Sequence, residues 1–200
     1  MRVSLTAMGD DEAEIEHEIA ELRRLGDQVV LPAARLHAYA GVIMRGVWRP
    51  EGLDAVVDSI LAAGADWDVS WSSPVFLLAR TGRLDALRSY LADHPDQEHT
   101  PNWSTMLNWC AMAEAAGALH DHQLADRAAR ALRPSQGIVG VSGISVVVGP
   151  VDGYLALAEA ILGNRTTASE LADHAEALSV SGGLPRYADW LRGHRARLGF

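Results

Sequence analysis

Lysine is missing altogether: all 17 basic residues of this 200-residue chain are arginines. That excludes a Walker-type phosphate loop, a Schiff-base lysine and a lysine general base. Cysteine is nearly missing. Cys110 alone cannot build a disulfide framework or a cysteine-rich zinc site, and a reducing cytoplasm is the expected setting. No HExxH or CxxC motif occurs, and no metal or cofactor is expected. No run of 18 apolar residues exists, so no membrane span is expected. After Arg2 the apolar stretch is short and Asp10-Asp11-Glu12 follows at once, so no signal peptide is expected. Positive charge is scarce. A net charge of −9 disfavours nucleic acid as a partner, because gripping phosphates needs a cationic surface.

What is present is globular. Apolar residues make up 48% and charged residues 22% of the chain, close to the ordinary soluble average. A chain of this length buries about two-thirds of its unfolded surface, and one domain over 1–200 is expected.

Alanine is abundant and β-branched residues are mostly confined, which favours helix nearly throughout. Asp10 or Asp11 caps a first expected helix carrying Ile15, Ile19, Leu22 and Leu25 and ended by Gly26. Pro32 opens a second, which carries Tyr39 and stops near Gly46. Pro50 opens a third, which ends at Gly64. A polar loop with Trp67 and Trp71 follows, then helices from Ser73 to Arg80 and through Leu84, Leu87 and Leu91. Asn102 to Ala116 reads as a helix, and Asp121 caps another that Pro134 stops. From Gly137 to Gly149 the chain has no charge, many β-branched residues and spaced glycines, which predicts an extended, largely buried insertion, with a short hairpin as one form (136–149). Helices return from Pro150 to Leu162, on to Val180, and from Pro185 to Leu198.

Three turns occupy equivalent places: Arg80-Thr81-Gly82-Arg83, Leu119-His120-Asp121-His122 and Leu162-Gly163-Asn164-Arg165. Each follows an apolar helix and precedes an alanine-rich one, at a spacing near the ~34 residues of a tetratricopeptide unit, stretched by insertions. The expected fold is all-α: a tetratricopeptide-like right-handed superhelix of antiparallel helix pairs with a short extended Gly-rich insertion.

Several stretches carry a resemblance: Trp103…Leu107…Ala113-Glu114-Ala115, Leu132-Arg133-Pro134, Val146-Val147-Val148-Gly149-Pro150-Val151-Asp152-Gly153-Tyr154-Leu155, and Gly183-Leu184-Pro185-Arg186-Tyr187-Ala188. The run from Asn102 to about Trp190 resembles the tetratricopeptide-like C-terminal region of actinobacterial LuxR-type ATP-binding regulators, antibiotic-regulatory activators and related ATPase–cyclase proteins. Leu36-His37-Ala38-Tyr39 and Arg80-Thr81-Gly82-Arg83 extend the likeness less specifically. The resemblance implies a helical scaffold with a concave face that binds an effector or a partner domain. ATP hydrolysis and DNA binding are not expected to carry over, since no phosphate loop occurs and no DNA reader is expected after Phe200.

Candidate site residues follow from that concave face. Large aromatics either anchor helix junctions or wall a groove. Trp103 shares a stripe with Met106 and Cys110 and is expected in the core; Trp109, flanked by Asn102, Asn108 and Glu114, is expected in the groove. Glu114 and Glu159 each sit among alanines. Each either faces water or, partly desolvated, anchors a ligand or exchanges a proton. Two acids facing one groove would favour a cationic or hydroxylated ligand. The expected ligand-binding set is Tyr39, Trp71 as a lid, Asn108, Trp109, Glu114, Tyr154 and Glu159, with insertion 137–149 closing one end. Glu114 and Glu159 are the catalytic candidates if the protein is an enzyme. His120 and His122 are expected as surface turn residues, because zinc needs three or four ligands. Ser142 and Ser145 lack nucleophile-elbow spacing. Arg186, Arg192, Arg195 and Arg197 with His194 form the one cationic patch, expected as a solvated cap or a docking contact to an acidic partner or a second copy, as in a homodimer. The leading expectation is a cytoplasmic binding or regulatory scaffold for a protein partner or small effector. The alternative is a small biosynthetic enzyme whose active site is the same groove.

Overall fold

A computed structural model describes residues 72–95, 104–142 and 146–200 continuously, and before them residues 8–9, 11, 13–14, 16–18, 20–21, 24, 47–49, 54 and 57–58. The first three expected helices lie largely outside the described residues, as do Tyr39, Trp67, Trp71 and Trp103. The described part is mostly helical. Its elements are α1 (Ser72–Arg80), α2 (Leu84–Asp93), α3 (Thr105–Leu119), α4 (His122–Leu132), β1 (Val139–Ser142), β2 (Val146–Pro150), α5 (Val151–Ile161), α6 (Arg165–Ser181) and α7 (Pro185–Leu198).

Four of the helix junctions use one device. A single left-handed residue ends the helix, and the next amide donates back to a carbonyl five residues earlier. The left-handed residues are Gly82, His120, Gly163 and Gly183. The closing bonds run from Arg83 to Leu78, Asp121 to Ala116, Asn164 to Glu159, and Leu184 to Ser179, at 2.9–3.1 Å. Glycine takes this conformation without steric cost; His120, at φ 54°, is the one non-glycine residue with positive φ among those described. The three turns that occupy equivalent places in the sequence thus share one geometry, and the Gly183 turn adopts it too.

α1 packs on α2, α3 on α4, and α5 on α6 as sequential pairs. In addition α1 packs on α3, α3 on α5, and α5 on α7, while α4 and α6 each touch the helix that opens the following unit. Among the described helices α3 and α5 are consequently the most deeply buried. α3 buries a run from Leu107 through Gly117 with only Trp109 partly open, and α5 buries Val151 through Glu159. Alanine and glycine permit that closeness: a Cβ on Gly117 would rest 3.6 Å from Leu157. α4, covered on one side only, is amphipathic and buries Leu124, Ala125, Ala128, Ala129 and Leu132.

The Gly-rich insertion is an antiparallel hairpin. Val139 pairs with Pro150, Gly140 with Gly149, Val141 with Val147 and Ser142 with Val146, so Val148 is an extra residue on β2. Val147 and Val148 are buried, whereas Ile138, Val139 and Val141 are exposed. The expected burial is thus met on β2 and not on β1, which turns apolar side chains outward. Tyr187 on α7 locks the hairpin base. Its hydroxyl donates to Pro150 O at 2.6 Å, and its ring fills the space left by the missing side chains of Gly149 and Gly153.

Candidate functional site

α1, α3 and α7 converge with residues 47–48 around a half-open cavity of about 380 Å³. Its inner wall is an ion pair. Arg80, the last residue of α1, donates from Nε to Glu114 Oε1 at 2.7 Å and from a terminal nitrogen to Oε2 at 2.9 Å. The Arg80 and Glu114 side chains are only 7% and 2% exposed. The other terminal nitrogen of Arg80 donates to Val47 O. Planar bidentate pairing of this kind holds both groups in one geometry. The guanidinium also lies 4.3 Å from the Trp48 ring centroid, 5.3 Å from Trp190 and 5.5 Å from Phe76. Arg80 is thus an internal cation inside an aromatic cage. Trp190 adds a hydrogen bond from its indole to Glu114 Oε1 at 3.2 Å.

The outer wall is one stripe of α7: Arg186, Trp190, His194 and Arg197 recur at helical spacing and all line the cavity, with Asp189 beside them. Arg197 donates to His194 Nδ1 at 2.8 Å. An arginine can only donate, so Nδ1 accepts and the neutral ring carries its proton on Nε2. Burial pushes the His194 pKa down to about 4. The Glu114 charge opposes this, while the Arg197 and Arg80 charges add to it. The imidazole is therefore neutral at neutral pH. Burial, with Glu114 nearby, raises the Cys110 thiol pKa far above the usual range, which leaves it an inert core residue.

A second, smaller cavity of about 190 Å³ lies between α5, α6 and the turn after α4. There Glu159 accepts from Arg133 at 2.7 Å and from Asn164 Nδ2 at 2.7 Å. Nearby, the fully buried Asp152 accepts from Gly137 N at 2.8 Å and bonds His174 Nδ1. Asp152 thereby ties the start of the hairpin to α6 and fixes the imidazole orientation.

No family model matches this chain, and comparison with curated proteins and solved structures returned no match.

The expected site residues do not come together as one groove. Glu114 lines the larger cavity and Glu159 the smaller. Neither faces water, and both carboxylates are engaged by arginines and further donors. Tyr154 is fully buried, with its hydroxyl donating to Val148 O at 2.9 Å; its ring lies 4.9 Å from Trp190, behind the cavity wall. Trp109 is partly buried against the core and is not among the residues lining either cavity. Asn108 is buried in α3. Tyr39 and Trp71 lie outside the described residues. His120 and His122 are exposed turn residues, and Asp121 caps α4 through Leu124 N. The cationic tail divides in two. Arg192 and Arg195 pair outward with Asp189, Asp173 and Glu176, while Arg186, His194 and Arg197 face the cavity. Arg80, Trp48 and Trp190 were not singled out from sequence. An arginine immediately before a turn glycine reads as a solvated helix end, and only the position of α3 and α7 makes it a buried one.

Proposed function

We propose that this chain is a tetratricopeptide-like binding and regulatory module whose cavity between α1, α3 and α7 takes a small effector. The observation that carries the reading is the half-enclosed space of about 380 Å³, walled by Trp48, Trp190 and His194 and edged by charged side chains. Small-molecule pockets have this size and this mixture of aromatic wall and few polar groups. The architecture supports the repeat assignment. α3 and α5 each pack on the following helix and on both helices of the pair before, and four junctions share one turn. Stacking of that kind is compatible with the right-handed superhelix expected of tetratricopeptide repeats and of the regulators the sequence resembles. An enzyme relying on Glu114 and Glu159 has less support, because both carboxylates already hold strong donors and neither has a free edge for proton exchange.

The test is a thermal-shift screen of small molecules run on the native chain and on Ala118→Trp, which fills the cavity from α3, with Ala118→Leu as the milder filling. A ligand at a hundred times its Kd adds about 2.7 kcal/mol, which moves the Tm of a chain this size by roughly 5–10 °C. A true effector shifts the native chain and not the filled variants. A shift equal in all three places binding elsewhere and ends the reading.

A further inference from the structure

The chemistry of the cavity narrows the effector, and the inference rests on the effector-site reading just given. Two acids facing one groove suggested a cationic ligand, but the structure reverses the charge balance. Glu114 is saturated by Arg80 and Trp190, and Asp189 accepts from Arg192, which lies outside the cavity lining. The aromatic cage that would receive an organic cation already contains Arg80. Among the described ionic side chains lining the cavity, arginines 80, 186 and 197 outnumber Glu114 and Asp189. Among the described residues Arg197 is bonded to His194 Nδ1, and that imidazole is neutral because burial holds its pKa near 4. Arg197, at an exposed position, thus meets a neutral acceptor rather than a carboxylate among the described residues, in a chain whose net charge is −9.

We infer that the effector is a small planar organic acid, its carboxylate received by Arg197 and its flat apolar body lying against the partly exposed Trp190 and His194 rings. A guanidinium presents parallel N–H donors that match a carboxylate, and indole rings supply contact area at little conformational cost. Inorganic anions and short aliphatic acids fit the charge and leave the aromatic wall uncovered. An acid of one or two rings uses both.

The experiment titrates four probes by calorimetry and by saturation-transfer NMR: trans-cinnamate, cinnamamide, cinnamylamine and acetate. Cinnamate is expected to bind at least tenfold more tightly than the other three. Arg197→Gln, at an exposed position, is expected to retain the native circular dichroism and to bring cinnamate down to the level of the amide. Amide or amine binding as tight as the acid, or an acid preference that survives Arg197→Gln, overturns the inference. So does the absence of cinnamate binding. Ala118→Trp separates this failure from failure of the site. If the amide or amine binds and the filled variant abolishes that binding, the acid is wrong and the cavity stands. If cinnamate binds the native and filled chains equally, the cavity itself is wrong.

Discussion

His120 stands where the three other turns of this geometry have glycine, in the left-handed region at φ 54°. A side chain there is strained by about 1–2 kcal/mol, and the imidazole is solvent-exposed, so nothing visible offsets the strain. His120→Gly is expected to stabilise the fold by ~1 kcal/mol, read as a higher urea midpoint at unchanged m-value. The His194 side chain should act through pH. Its folded pKa is near 4 and its ordinary value 6.5, so between those values the unfolded chain holds the extra proton. Stability should therefore fall as pH drops from 6.5 towards 4, by ~3 kcal/mol at most. His194→Gln, which keeps an acceptor for Arg197, should remove that part of the slope in urea melts collected across the range. A slope unchanged by the substitution would show that other groups carry it. Cap residues were legible at this scale: Asp121 holds α4 as its position before an alanine-rich run suggests. The pairing of Glu114 was not, because its partner lies 34 positions away in the chain.

Among the elements, the hairpin depends on a residue from another helix. Gly153 opens onto the Tyr187 hydroxyl, and a Cβ there would overlap it. Gly153→Ala is expected to cost ~1–3 kcal/mol by overpacking, and Tyr187→Phe in the same chain should return part of that by removing the oxygen. Thermal denaturation of the two single variants and the double variant measures the coupling, and strict additivity would place the clash elsewhere. Helix boundaries and the hairpin were readable from Pro, Gly and the β-branched run; α7 begins and ends where Pro185 and Leu198 suggest. The faces of α3 and α5 were not readable. A helix wheel assumes one wet side, and these helices have almost none, so Trp109 and Tyr154 could not be sorted into groove and core by spacing.

At the scale of the whole molecule, one ion pair joins three elements. Arg80 from α1, Glu114 from α3 and Trp190 from α7 meet with Trp48 in a single buried cluster. Removing one partner leaves the other charged and buried, so Arg80→Met and Glu114→Gln should each cost ~3–5 kcal/mol. The double variant Arg80→Met, Glu114→Gln should cost well below the sum, because no uncompensated charge remains. Chemical denaturation of the three chains tests this. Full additivity would mean that the pair does not act as an energetic unit.

Local sequence determined what local forces decide. Alanine content and periodicity made the chain helical, glycines and one histidine marked the reversals, and an uncharged β-branched run became the hairpin. Each of these rests on backbone preferences that act over a few residues. Tertiary structure alone decided the site. Whether Glu114 faces water or an arginine, and whether Arg197 has a counter-charge, depends on which distant helix stands opposite. Where helices are as deeply buried as α3 and α5, electrostatic partners come from other helices, and no spacing within one helix encodes them.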